Sequence, residues 1–275
     1  MRGQIVKIVS NLYSVSSNNK IYNCRARGKF RNDKITPTVG DYVDFDEVNN
    51  YILDIMTRRN TLIRPLVSNV DQAFVVTSLK EPDFSDNLLD KLLVVLEFNK
   101  IKPIICLTKS DLLKKSEKKE LKKKLRYYKK IGYKVINNNN LFTIKRMLKN
   151  KTTVFTGQTG AGKSTLLNRL NKRINLETGE ISKALGRGRH TTRHVELIEM
   201  CRGKVLDTPG FSMIDFSDMS EEDIKNSFVE FSKYNCEFKN CMHLNEKKCF
   251  VKEALNNGII LKSRYDNYKK FINKR

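Results

Sequence analysis

Residues 156–165 read TGQTGAGKST, and residues 107–112, earlier in the chain, read LTKSDL. The first stretch fills G-x-x-x-x-G-K-[ST] with Gly157, Gly162, Lys163 and Ser164, directly after the apolar run TTVF and directly before STLLNRL. Strand, loop and helix in that order are what a phosphate cradle requires. Backbone N–H groups of residues 159–165 would surround a β-phosphate at a helix amino terminus, with Lys163 reaching the β and γ oxygens and the Ser164 hydroxyl ligating Mg²⁺. An α/β fold follows, its sheet mainly parallel with helices on both faces.

The second stretch ends the apolar run PIICL, which places TKSD at the carboxyl edge of the same kind of sheet. A carboxylate at Asp111 accepts both the N1–H and the exocyclic amine of guanine, whereas adenine offers no such donor pair. Lys109 lays its stem along the base. The plainer reading of TKSD is a helix cap after a strand. A third element, LDTPG at 206–210, follows KVL; Asp207 would hold Mg²⁺ through water, and the Gly210 amide would sense a γ-phosphate. Between cradle and LDTPG, GRGRHTTRHVEL offers Thr191 and Thr192, one of which completes the metal shell. The expected nucleotide set is therefore Thr108, Lys109, Ser110, Asp111, Gly157, Gln158, Thr159, Gly160, Ala161, Gly162, Lys163, Ser164, Thr165 and Gly210. The expected magnesium set is Ser164, Thr191, Thr192 and Asp207.

Clamp before cradle reverses the usual order. Cutting a GTPase sheet between its metal-binding and guanine-binding halves and joining the old ends gives this order while keeping the site. Phe211 follows DTPG where a water-orienting Gln would stand, so slow intrinsic turnover is expected. His190 is the nearest group to orient water, with Arg187 or Arg189 stabilising charge; the alternative is that His190 is a loop residue without a catalytic part. Thr108 stands where most GTPases carry Asn, and INNNN at 136–140 occupies the place of the usual Ser-Ala support for guanine. No guanine contact is assigned there.

Working outward, residues 1–64 carry five short alternating runs, GQIVKIV, LYSV, KIYNCRA, DYVDFDEV and YILDIM. They predict a small barrel of the oligonucleotide-binding type, an SH3-like barrel being the alternative. Arg25, Arg27, Lys29 and Arg31 would lie on its surface, and Tyr22 and Phe30 would serve as stacking platforms or, more simply, as core. Residues 65–215 alternate strands and helices, with Leu121, Leu125, Tyr128 and Ile131 forming the inward stripe of a lysine-rich helix. Residues 216–275 begin with a capping box at Ser220 and Asp223 and end in a basic helix. Between these, Cys236, Cys241, His243 and Cys249 give C-x4-C-x-H-x5-C. Four such ligands with no open position fit one structural Zn²⁺, holding a tail expected to have only a thin core of its own.

The 275 residues carry a formal net charge of +23 and are 39% hydrophobic, enough apolar material for real cores and a balance that favours a polyanionic partner. Genome composition also inflates Lys and Asn. No run reaches the roughly 18–20 apolar residues of a membrane span, so a cytoplasmic protein without membrane contact is expected, its cysteines unpaired.

With these motifs in hand, GEISKALGRGRHTTRHVEL, the motif order and the Cys/His cluster resemble the circularly permuted GTPases of the RsgA (YjeQ) family, the small-subunit-dependent GTPases of bacteria. The likeness covers nearly the whole chain and is most specific between 156 and 249. It implies an N-terminal OB-fold barrel, a permuted GTPase domain and a C-terminal helical zinc-binding domain. It further implies binding of the immature small (30S) ribosomal subunit and its 16S rRNA, and GTP hydrolysis stimulated by that subunit and promoting release. A GTP-gated RNA-binding latch with incidental hydrolysis is the second reading, and an ATP-driven remodelling protein is disfavoured by TKSD. A monomer is expected.

Overall fold

The computed structural model describes residues 1–28, 30, 35–63, 66–171, 195–207 and 216–273, Asp207 by its backbone alone. In chain order the strands and helices are β1 (Arg2–Val9), β2 (Leu12–Ser17), β3 (Lys20–Ala26), β4 (Tyr42–Asp46), β5 (Tyr51–Ile55), β6 (Thr61–Ile63), β7 (Leu66–Ser68), β8 (Gln72–Ser78), α1 (Asp86–Phe98), β9 (Lys102–Thr108), α2 (Lys115–Lys130), β10 (Lys134–Asn137), α3 (Leu141–Leu148), β11 (Thr152–Gly157), α4 (Lys163–Leu170), β12 (Glu196–Met200), β13 (Gly203–Asp207), α5 (Glu221–Asn226), α6 (Phe250–Asn256) and α7 (Lys262–Asn273). They form two compact units. One holds Met1–Ala73, Asn140–Phe155 and Ser164–Phe211; the other holds Phe74–Asn139, Thr156–Lys163 and Ser212–Arg275.

In the first unit, β1 pairs with β2 and β2 with β3, β3 runs parallel to β5, β5 pairs with β4, and β4 returns to β1. The ring closes. Period-two alternation explains its filling: Val43 and Phe45 point in from β4 while Tyr42 is exposed, and they meet Ile5, Val15, Cys24 and Ile52, all fully buried. Phe30 joins this core at 3% exposure, and Tyr22 packs on Phe45 with ring centroids 5.0 Å apart. Phe30 is therefore no stacking platform, because the barrel interior offers more apolar contact than its rim does. Of the expected surface cations, Lys29 and Arg31 lie outside the described residues.

Beside the barrel, β11 runs parallel to β13 from Thr152↔Lys204 to Val154↔Leu206, and β13 pairs antiparallel with β12. β12 meets β1 at Lys7↔Glu196, where the two side chains form a 2.7 Å ion pair, and Lys204 Nζ donates to Gln4 Oε1 at 2.7 Å.

In the second unit, β8 is buried along its whole length and β9 nearly so, as expected of strands covered on both faces. The order is β10, β9, β8, with β10 parallel to β9 from Lys134↔Ile104 to Asn137↔Leu107. Ser85 caps α1 by accepting from the Leu88 N–H at 3.2 Å, and Leu89, Leu92, Leu93 and Leu96 form its buried stripe. On α2 the expected stripe turns inward at Tyr128, fully buried, with Leu121 and Leu125 half-buried.

The carboxyl-terminal stretch of this unit departs from the thin core expected of it. Phe228, Phe231, Tyr265, Tyr268 and Phe271 pack together with Ile224, Val251 and Ile260. Their spacing on short helices escapes notice among the surrounding charges. Arg264, on the helix read as a basic terminal one, is fully buried: Nη1 donates to Asp90 Oδ1 at 2.6 Å and Nη2 to Glu230 Oε2 at 3.1 Å. Asp90 also accepts from Tyr128 Oη and Asn267 Nδ2, each at 2.7 Å. Burial alone would lower the Arg264 pKa, but the Glu230 and Asp90 carboxylates outweigh it and hold the guanidinium charged.

Candidate nucleotide site and metal centre

The cradle leaves β11 through Gly157, whose φ of 136° belongs to the region that favours glycine. An added Cβ there would lie 2.0 Å from the Val76 carbonyl oxygen, so only glycine lets the loop depart this close to β8. Lys163 folds back over its own loop, donating to the carbonyls of Gly157 at 2.7 Å and Gln158 at 2.8 Å. Burial lowers its pKa, and a phosphate bound beside it would favour the charged ammonium again. Ala161 N–H donates to Gln158 O at 3.1 Å and closes the turn. Ser164 and Thr165 follow in the first turn of α4.

TKSD sits where β9 ends. Thr108 is buried, and its hydroxyl donates to the Ala161 carbonyl at 2.7 Å, which ties the end of β9 to the cradle. Lys109 adopts φ 55° and its ammonium donates to the Glu81 carbonyl, so its stem is held rather than free. Ser110–Leu112 form one 3₁₀ turn, with Asp111 exposed at its start. Asn137, at the end of β10, donates from Nδ2 to Ser110 Oγ at 3.1 Å. A carboxylate open to solvent thus follows a strand end that is tied to the cradle, an arrangement suited to a purine at the one and phosphates at the other.

Most of the expected nucleotide residues, Thr108 to Asp111 and Gly157 to Lys163, therefore come together in one unit. Arg187, Arg189, His190, Thr191, Thr192, Gly210 and Phe211 lie outside the described residues, and Asp207 is described only as the last residue of β13. Two contributors escaped sequence reasoning, the Glu81 carbonyl behind Lys109 and the Asn137 amide behind Ser110. A backbone carbonyl leaves no mark in a sequence. Asn137 does stand in the Asn run that replaces the Ser-Ala element, and that run was the available signal.

Elsewhere in the second unit, the ligand atoms of Cys236, Cys241, His243 and Cys249 all lie within 4.8 Å of one another. His243 turns Nδ1 to the thiols, 3.5 Å from Cys236 Sγ and 3.4 Å from Cys249 Sγ. Its main chain is fixed by Tyr265, whose hydroxyl donates to the His243 carbonyl at 2.6 Å. Tyr268 likewise donates to Met242 O, and the Glu246 carboxylate accepts from the Met242 and Leu244 amides at 2.6 and 2.8 Å. Burial pushes the Cys241 thiol up to about 12 and keeps His243 below the usual imidazole range. A neutral imidazole is ready to ligate, and a soft divalent cation would draw the protons from the thiols. Three sulfurs and one nitrogen, converging this closely, fit a tetrahedral metal ion such as zinc. All six cysteines are free, as expected.

A family model described as RsgA GTPase matches residues 55–217, and one described as RsgA N-terminal domain matches residues 2–51. The small ribosomal subunit biogenesis GTPase RsgA of Latilactobacillus sakei subsp. sakei (strain 23K) is 47% identical over 281 residues, covering 98% of this chain and 94% of that protein. The protein of the same name from Pediococcus pentosaceus is 48% identical over 282 residues, covering 98% of this chain and 91% of its own. Among solved structures, YloQ, described as a circularly permuted GTPase, superposes with a TM-score of 0.83 at 40% identity over 99% of this chain and 94% of that one. YjeQ from Thermotoga maritima gives 0.87 at 33% identity, over 99% and 97%. The fold is thus a permuted P-loop GTPase preceded by a five-stranded barrel and followed by a small helical region with the Cys/His cluster.

Proposed function

The chain belongs to the RsgA GTPase family, and from that premise we propose that it hydrolyses GTP in the biogenesis of the small ribosomal subunit. In this reading it binds the 30S particle through its 16S rRNA late in maturation, in the cytoplasm and as a monomer. Contact with the subunit accelerates hydrolysis, and hydrolysis promotes release. The observation that carries the proposal is the 2.7 Å bond from Thr108 to Ala161, which joins a guanine-type clamp to a phosphate cradle within one unit.

Asp111 pairs with N1–H and the 2-amino group of guanine, Lys109 lies along the base, and the amides of 159–165 with Lys163 hold the phosphates. Ser164 and Asp207, with Thr191 or Thr192, are the residues that would hold magnesium, which when bound neutralises the β and γ oxygens. His190 orients the attacking water once the subunit is bound, and the Gly210 amide senses the γ-phosphate. Cys236, Cys241, His243 and Cys249 hold one structural zinc. The division into a barrel at 1–64, a GTPase domain at 65–215 and a zinc-binding domain at 216–275 belongs to the same proposal, supported by family models that change between 51 and 55.

GTP turnover measured with and without purified 30S particles tests it, strong stimulation being the expected result. Unstimulated turnover together with GTP-dependent docking would favour the latch instead. Asp111→Ala should weaken the preference for guanosine over xanthosine nucleotides about ten- to hundredfold, the scale of hydrogen bonds to a charged group. Unchanged preference would remove Asp111 from the clamp.

A further inference from the structure

The outward face of α3 has no part in the nucleotide site or the metal centre. Phe142 is 78% exposed there, a large ring left in water on a helix whose other face, Ile144 and Leu148, is fully buried. Lys145 and Arg146 follow at the i+3 and i+4 positions, the spacing that puts side chains on one stripe, and Lys149 lies just past the helix end. From Asn140 to Lys151 there is no acidic residue.

A second basic element is brought to the same end. The Asn150 N–H donates to the Arg202 carbonyl at 2.8 Å, which fixes the turn between β12 and β13 beside the end of α3. Gly203 makes that approach feasible, since an added Cβ would lie 1.9 Å from the Leu148 carbonyl oxygen. Arg202, exposed at φ 60°, thereby joins Lys145, Arg146 and Lys149. None of these four cations has an ion-pair partner among the described residues.

We propose that this face of α3, with the β12–β13 turn, is an RNA-docking surface: Lys145, Arg146, Lys149 and Arg202 take successive phosphates, and an unpaired base stacks on Phe142. Unpaired cations alone describe many solvated helices. An exposed aromatic ring in their midst, without a carboxylate on the segment, is the combination that single-stranded or looped RNA uses, because the ring binds any base while the cations follow the backbone. A protein partner of acidic surface would satisfy the cations and leave the ring without a purpose. The inference rests on the ribosomal reading and assigns the occupant as rRNA of the small subunit.

The test measures binding of purified 30S particles to the full chain across a salt series, beside GTP turnover without particles. Phe142→Ala should weaken binding about tenfold, within the range for one stacked base. Lys145→Glu with Arg146→Glu should lower the slope of log affinity against log salt by about two, one per lost phosphate contact. Phe142→Trp should bind at least as well as the parent chain, and turnover without particles should be unchanged in all three variants. If the parent chain binds the particles and the variants match it in affinity and slope, the surface is not a docking site. If a photo-crosslinker at position 142 labels only ribosomal protein, the occupant is not RNA. A parent chain that ignores the particles overturns the ribosomal reading itself, a result that the variants do not produce.

Discussion

The amino-terminal barrel and the carboxyl-terminal region solve the same problem, a small core, by opposite means. In the barrel every strand finds its neighbour through the backbone, and the interior is apolar throughout, from Ile5 to Ile52. The Arg2–Asp44 pair on its strands stays in water, with side chains 77% and 41% exposed, and Asp41, just before β4, is the buried exception, paired to Arg58. The carboxyl-terminal region has helices of 6, 7 and 12 residues, too short to be stable alone, and the stretch from 234 to 249 has neither helix nor strand. Side chains do the holding there, through four clustered ligands and a buried Arg264 with two carboxylates. Closing a sheet satisfies the main chain generically. A region without a sheet depends on a few particular atoms.

The sharpest way to break this contrast is to remove metal. Chelation of zinc-loaded protein, or Cys249→Ser, should abolish hydrogen-exchange protection around 236–256 and leave the barrel amides as they were. Structural zinc supplies about 10–16 kcal/mol in finger peptides, so this is the largest effect expected. Equal loss in both regions would show that the barrel depends on the cluster.

Next comes the buried ion group. Asp90→Ala should cost about 3–5 kcal/mol in urea unfolding, because Arg264 loses one of two carboxylates without access to water. Replacing Asp90, Glu230 and Arg264 together with Leu, Leu and Met should recover most of that loss, since desolvated ions gain little over well-packed apolar groups. Failure to recover would mean the group also fixes the helices in register.

In the barrel, Ile52→Val should cost only about 0.5–1.5 kcal/mol, read from the same denaturation curves, with zinc affinity unaltered. The smallest effect belongs to Glu97, whose pKa burial raises although a hydrogen bond from Tyr133 opposes it. The native state thus holds the proton more tightly than the unfolded chain does. Ionised Glu97 weakens the fold as pH climbs from the ordinary carboxylate range through the raised native value. Glu97→Gln should therefore raise the urea midpoint slightly above that window, and the gain should vanish below it.

The parts legible in the sequence are those whose partners are near in the chain or whose chemistry is fixed by spacing. G-x-x-x-x-G-K-S located the cradle, C-x4-C-x-H-x5-C brought together four residues that converge in space, and five alternating runs gave the five barrel strands. TKSD was readable as residue types, yet its tie to Ala161 crosses 53 positions and rests on a hydroxyl that many threonines carry idly. Arg264 was unreadable for the same reason. On a helix with three other basic residues nothing distinguishes the buried one, because its partner Asp90 is 174 positions away. Phe30 shows a milder ambiguity, as an aromatic beside arginines suits an RNA rim and a barrel interior alike until burial decides it.

That separation of 174 positions bears on how the chain is born. A ribosome emits Asp90 long before Arg264, and domains generally fold as their segments emerge. The barrel can close early, while α1 must wait with an uncompensated carboxylate and the tyrosine hydroxyls of residues 128 and 133 as its interim company. Synthesis order thus makes the second unit the last to mature, and a nascent chain stalled before residue 264 would carry a finished barrel and an Asp90 without its guanidinium partner.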